Sequence, residues 1–341
     1  MTDSAPRDTP KRPSRVKIAM QVVGFVVGCA LVVWCAQRAL ADGGAGLEKL
    51  RNADRSLVAI LLLSTLGSIV CSGLTFWAIV QPIRRLGVVE MQAVNLMASL
   101  FNYAPVRLGL FLRCVFHWRV DRMPGAEIAA WIAGVAIVTL GTLASAIAAG
   151  LVQIPAGRSE LALDWMWFAT YAVCIIGGGA LTIFVCRSPV LHKFLKGGER
   201  ALNDPRALAS GLVFRSIDVA MWTLRMWAAA KIVGVSLNPA QAALLAGVAV
   251  LGAGNPLGRI GWREWLVTVT APLVLGGSAD EKTLATLTSQ LALLESAGEA
   301  ILTIPLGVLG SIWCVLAIRR AAKSPGRDTG ASGPLPSKTQ P

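Results

Sequence analysis

The chain is short of charge. Only 15% of its 341 residues are Asp, Glu, Lys or Arg, against about 25% in a soluble domain, and the mean hydropathy is +0.61. Such a composition excludes an ordinary water-soluble globule. Histidine is scarcer still: His117 and His192 are the only two, neither is read as having a carboxylate or cysteine at metal-ligand spacing, and no HExxH occurs. The seven cysteines, Cys29, Cys35, Cys71, Cys114, Cys174, Cys186 and Cys314, are scattered, mostly through apolar segments, with no CxxC pair. That pattern fits packing residues and excludes a disulfide framework or a zinc site. The "GAGNPLG" run at 252–258 lacks the GxGxxG spacing and follows no strand. No polar stretch is long enough for a catalytic domain. The expectation is therefore a protein that is not an enzyme, with no catalytic residues, cofactor or metal.

What is present is apolar sequence. Hydrophobic residues make up 55% of the chain, in several runs close to the roughly 20 residues that a bilayer core demands. The expected fold is all-α, a polytopic membrane helix bundle. The net charge of +13 lies mainly in the tails and in short loops, where the positive-inside rule puts it, and this argues against a nucleic-acid partner.

Residues 1–17 form a basic tail, read as cytoplasmic. The run Ile18 to Ala36 exceeds a usual signal-peptide core and more membrane segments follow, so it reads as an uncleaved first helix despite the "ALA" at 39–41. Further crossings are expected at Leu57–Val80, Ile128–Leu151, Trp165–Val185, Ala209–Val235 and within Leu284–Ile318, with 319–341 a cytoplasmic disordered tail. Arg84 and Arg85, and the five basic residues of 187–206, mark cytoplasmic loops. Both termini then face the cytoplasm of a cell inner membrane, and 18–318 form one transmembrane domain.

Two apolar segments remain, and both are interrupted. The first, about 91–116, has basic residues near both ends; the second, 239–276, has few positive charges near either. A segment whose ends share one side is a re-entrant hairpin, so the charge pattern predicts one hairpin from each face, with about six full crossings. Two crossings plus a hairpin, taken twice, suggests an inverted repeat with a site near the midplane.

Both hairpin tips carry the same residue types. Asn102, Pro105, Arg107 and Gly109 come together in the first, with Arg113 one turn further on; Asn255, Pro256, Gly258, Arg259, Gly261, Arg263 and Glu264 form the second. Pro and Gly end one half-helix and begin another, and the second half-helix offers unpaired N–H groups to an anion. The alternative for each arginine is snorkelling or a local pair, such as Arg263 with Glu264; the matching tips favour a shared anion-binding role. In the fifth crossing Arg215, Asp218, Trp222 and Arg225 fall on one helical face. Intramembrane charges face the bundle interior or water, so Asp218 would neutralise Arg215 or Arg225. Glu295 and Glu299, four apart, would balance the tip arginines or carry protons.

The run "FNYAPVRLGLFLR" resembles the Asn, Pro, Arg and Gly pattern in the lysylphosphatidylglycerol synthase transmembrane family, the flippase half of the multiple-peptide-resistance factors, and "GNPLGRIGWREWL" is similar to its Gly-rich signature ending in acidic residues. Leu110, Leu257 and the "LLESAGE" run depart from that pattern. The resemblance implies a bundle with two re-entrant segments that moves an anionic phospholipid or lipid-linked substrate between leaflets. Two other roles remain open: a non-transporting membrane partner that presents a lipid-linked substrate to a separate lipid-modifying enzyme or glycosyltransferase, and a secondary transporter of a small anion. A homo-oligomer is compatible with all three.

Overall fold

The computed structural model describes residues 15–41, 48, 51–104, 108–152, 165–186, 203–254, 260–275 and 281–323. Among them are ten helices: α1 (Arg15–Ala39), α2 (Arg55–Val80), α3 (Val88–Phe101), α4 (Leu108–Arg119), α5 (Gly125–Leu151), α6 (Trp165–Cys186), α7 (Pro205–Val233), α8 (Pro239–Ala253), α9 (Trp262–Leu275) and α10 (Glu281–Lys323). The described residues contain no strand. Six helices, α1, α2, α5, α6, α7 and α10, are long and apolar enough to cross a membrane, and the chain is an all-α polytopic membrane bundle.

Local chemistry sets several of the boundaries. Asp54 caps α2 by accepting from the Ser56 amide at 2.9 Å, and these bonds hold its carboxyl below the usual carboxylate range. Asn238 and Gln241 form a capping box at the start of α8, with Pro239 in the first turn. The end of α7 is set by Gly234, left-handed at φ 85°.

The two interrupted segments form two pairs of short helices, α3 with α4 and α8 with α9. Their lengths are 14, 12, 15 and 14 residues. At 1.5 Å per residue each spans only about 18 to 23 Å, short of the roughly 30 Å hydrocarbon core. Within each pair the helices pack on one another. Gly109 of α4 lies against α3 so tightly that a Cβ there would sit 2.0 Å from the Ala98 carbonyl oxygen, so only glycine permits the approach.

The most extensive packing joins α2 and α7, with α10 lying along α3 and α9. One large core cluster runs from Leu61 through Val219, Met226 and Leu245 to Leu291, fastening α2, α7, α8, α9 and α10. α6, by contrast, shows large apolar side chains outward, among them Val173, Ile176 and Phe184, each at least 70% exposed, as befits a helix whose solvent is lipid. The last helix differs from expectation. It spans 43 residues, Glu281–Lys323, and so runs beyond 284–318 at both ends.

Candidate functional site

A cavity of about 330 Å³ lies where the two helical hairpins meet, walled by α2, α3, α4, α5, α7, α8, α9 and α10. Of the expected site residues, Asn102, Arg113, Asp218, Arg225 and Arg263 line it, together with Glu299 and Arg215. Gly109 and Gly261 are packing positions behind the wall. Pro105, Arg107, Asn255, Pro256, Gly258 and Arg259 lie outside the described residues.

Two of the arginines are engaged by carboxylates. Arg225 on α7 meets Glu295 of α10, Nε to Oε1, at 2.5 Å, and Glu299 at 3.4 Å. Arg263 on α9 pairs with the same two glutamates through Nη2 and Nη1. Two guanidinium groups and two carboxylates thus form a buried quartet, each member at most 8% exposed. It ties three helices together at the cavity wall.

A third arginine is also matched. Arg215 donates to Asp218 within α7, three residues apart as helical geometry allows. Asp218 also accepts from Ser68 Oγ of α2 at 2.6 Å, and Ser68 accepts from Trp222 Nε1 at 2.8 Å. Asp218 therefore pairs with Arg215, leaving Arg225 to α10.

Glu264 occupies a different place from the one its neighbour in sequence suggests. Its carboxylate accepts from the Gly261 amide at 2.8 Å and from Ser296 Oγ at 2.5 Å. It is the residue three places into α9 folding back to cap its own helix. Adjacent helical residues do not face each other, so the local Arg263–Glu264 pair does not form. The Gly261 N–H, expected to await an anion, is already taken. Gly261 has φ +83°, and a Cβ there would lie 1.8 Å from the Gly28 carbonyl oxygen of α1; first helix and hairpin tip touch backbone to backbone.

Arg113 stands apart. It is 3% exposed, and its Nη2 donates to Asn95 Oδ1 of α3 at 2.7 Å. Its Cζ lies 3.5 Å from the centre of the Phe76 ring, a cation–π arrangement. Asn95 is itself fixed by donating to the Ile69 carbonyl at 3.1 Å. Among the described residues no carboxylate pairs with Arg113, and its Nη1 atom has no hydrogen-bond partner. Sequence reasoning passed over Asn95, although a lone amide in an apolar helix is itself a signal of an intramembrane polar partner. It also left His117 without a carboxylate, whereas Asp121, one turn on, sits 2.6 Å from its Nδ1.

Beside this polar cavity lies a narrow apolar cleft of about 50 Å³ between α5, α6, α7 and α8, lined by Leu143, Gly150, Val219 and Gly247 among others. Trp222 borders both spaces. No group of three or more His, Cys, Asp or Glu residues able to hold a metal occurs among the described residues.

No protein-family model matches the chain, and neither the curated proteins nor the solved structures include a significant match.

Proposed function

We propose that this protein handles an anionic phospholipid or lipid-linked substrate in a flippase-like manner, its headgroup held in the cavity between the hairpins. The observation that carries the reading is Arg113: a buried guanidinium, on a cavity wall, without a carboxylate. A buried unpaired charge is expensive, and an anionic ligand is what would offset that expense. The replacement of headgroup hydration by Arg113, with Asn102 nearby on the same wall, is the work such a site performs in a bilayer. Arg225 and Arg263 position the walls through their glutamates.

The apolar cleft that meets the cavity at Trp222 favours an amphiphile over a small soluble anion. On this reading α3–α4 and α8–α9 are re-entrant, entering from opposite faces, and both termini lie in the cytoplasm of the inner membrane, in accord with the basic loops. The likeness of the two tips to the lysylphosphatidylglycerol synthase transmembrane family points the same way.

The test is movement of a fluorescently labelled anionic lipid across liposomes containing the purified chain, compared with labelled phosphatidylcholine. Arg113→Gln should reduce movement of the anionic lipid at least tenfold while the protein inserts and folds. Equal rates for wild type and Arg113→Gln would overturn the assignment. Uptake of inorganic phosphate without lipid movement would favour a small-anion transporter.

A further inference from the structure

One turn beyond Arg113 on α4 lies a second set of titratable groups. His117 is fully buried, its ring set edge-on to Phe116 and Trp131 with centroids 5.4 and 4.9 Å away. Its Nδ1 meets Asp121 Oδ2 at 2.6 Å, and Asp121 lies beside Glu90 of the first turn of α3. The three residues join the beginning of α3 to the end of α4.

Proton positions follow from the contacts. Burial, and then the Asp121 carboxylate beside it, push the Glu90 carboxyl up to about 7. Nδ1 faces the Asp121 carboxyl oxygen at 2.6 Å, and a ring nitrogen that donates to it places the imidazole proton on Nδ1. The Nε2 atom then carries the lone pair, and it is buried without a hydrogen-bond partner. It is the atom where the cluster takes a further proton, forming an imidazolium beside Asp121.

Other charged and titratable groups face the cluster from the surrounding elements. Arg84 precedes α3 and acts on Glu90, Cys114 shares α4, Cys314 of α10 lies within reach of Glu90, and α5 presents the Trp131 ring. Burial most of all disfavours a charged His117, the Asp121 carboxyl favours it, and the positive charge of Arg113, four residues away on the same helix face, opposes it. While Arg113 lacks an anion, its charge opposes an imidazolium one turn below; an anion bound to it removes the opposition.

We propose, resting on the anion site above, that binding of an anionic headgroup at Arg113 is coupled to uptake of one proton at His117 within the His117–Asp121–Glu90 cluster. The proton comes from bulk water, no bond other than N–H forms, and linkage makes the effect reciprocal: a protonated cluster binds the anion more tightly. Anion movement by such a site would be sensitive to a pH gradient.

The experiment is equilibrium binding of dihexanoyl phosphatidylglycerol to the full chain in maltoside micelles, by titration calorimetry in two buffers of different protonation enthalpy, across about pH 5 to 8 where histidine titrates. Its phosphodiester stays singly charged, so any proton exchanged with the buffer is taken up or released by the protein. Wild type should bind with an affinity that falls roughly tenfold or more as pH rises over that range, and with a heat that depends on the buffer. His117→Gln, whose amide still donates to Asp121, should lose most of the pH dependence; Glu90→Gln, which likewise keeps a donor to Asp121, should keep the larger part of the wild-type slope. A pH-independent wild-type affinity overturns the coupling and leaves the anion site standing. An unchanged slope in His117→Gln overturns the assignment to this cluster. Absence of binding by wild type at every pH overturns both the site and the coupling.

Discussion

Arg263→Met tests the buried quartet directly. The side chain is 3% exposed and pairs with Glu295 and Glu299; methionine fills similar space without charge. After the change Glu295 and Glu299 keep Arg225 but lose the second guanidinium of the quartet. The quartet then carries one negative charge more than before, and the cheapest relief is to bind a proton. Starting from a reference pKa of about 4.3, neutralising a carboxyl at pH 7 costs about 2.7 units, or about 3.7 kcal/mol, within the 3–5 kcal/mol range typical of breaking a buried ion pair. The sign with pH follows. A carboxyl that binds this proton in the folded variant is ionised in the unfolded chain, so stability is present below the unfolded pKa and lost as pH rises above about 4.3. At pH 5 the deficit against wild type should shrink to about 1 kcal/mol.

The assay is unfolding by SDS titrated into dodecyl maltoside micelles, followed by tryptophan fluorescence at the two pH values, for wild type, Arg263→Met and Arg263→Met/Glu299→Gln. The double variant removes the excess carboxylate and should regain most of the loss at pH 7. If the single variant is as destabilised at pH 5 as at pH 7, or the double variant is no more stable than the single, the charge argument fails and the loss belongs to packing.

Three further outcomes are expected. Arg113→Gln should change stability by about 1 kcal/mol or less, because it leaves no buried charge unpaired, whereas Arg225→Gln should cost about 3–5 kcal/mol; the same SDS titration compares them. Gly261→Ala should destabilise by more than the roughly 1–2 kcal/mol of a left-handed alanine, because its Cβ would meet the Gly28 carbonyl at 1.8 Å, and cross-linking between α1 and α9 should report the separation. In a chain otherwise freed of cysteine, single cysteines in the basic stretch 187–202 should react with impermeant maleimide only from the cytoplasmic side, and cysteines at 153–164 only from the opposite side.

Much of the bundle is legible because its signals are local. Apolar runs of bilayer length mark the six long helices, and Pro and Gly mark the two breaks. Arg215 with Asp218, three residues apart, is a pair that helical periodicity alone brings together, and Glu295 with Glu299 share a face for the same reason. The quartet is not legible in this way. Arg225, Arg263 and the two glutamates come from three helices, and only their crossing brings the charges into contact. Adjacency in sequence misleads at Glu264: Arg263 is its neighbour along the chain, yet successive helical side chains diverge. The informative spacing is Gly261 to Glu264, the three-residue interval of a side chain capping its own helix. Gly28 gives no signal at all, since one glycine in an apolar run is unremarkable until another backbone is seen against it.

The division between matched and unmatched arginines also bears on how such a site would work in lipid. A cation that both anchors a hairpin and binds a ligand would loosen its anchor whenever the ligand arrived, because the anion competes with the glutamates for the same donors. Here the anchoring charges, Arg225 and Arg263, are paired with Glu295 and Glu299, and the one without a carboxylate among the described residues sits on a different helix. Arg113 is held by an amide and an aromatic face, partners that fix its position without cancelling its charge. On the proposed reading, a headgroup can come and go at Arg113 while the quartet keeps α7, α9 and α10 in place. The conformational response then passes along α4, toward His117 and the base of the first hairpin, and not through the second.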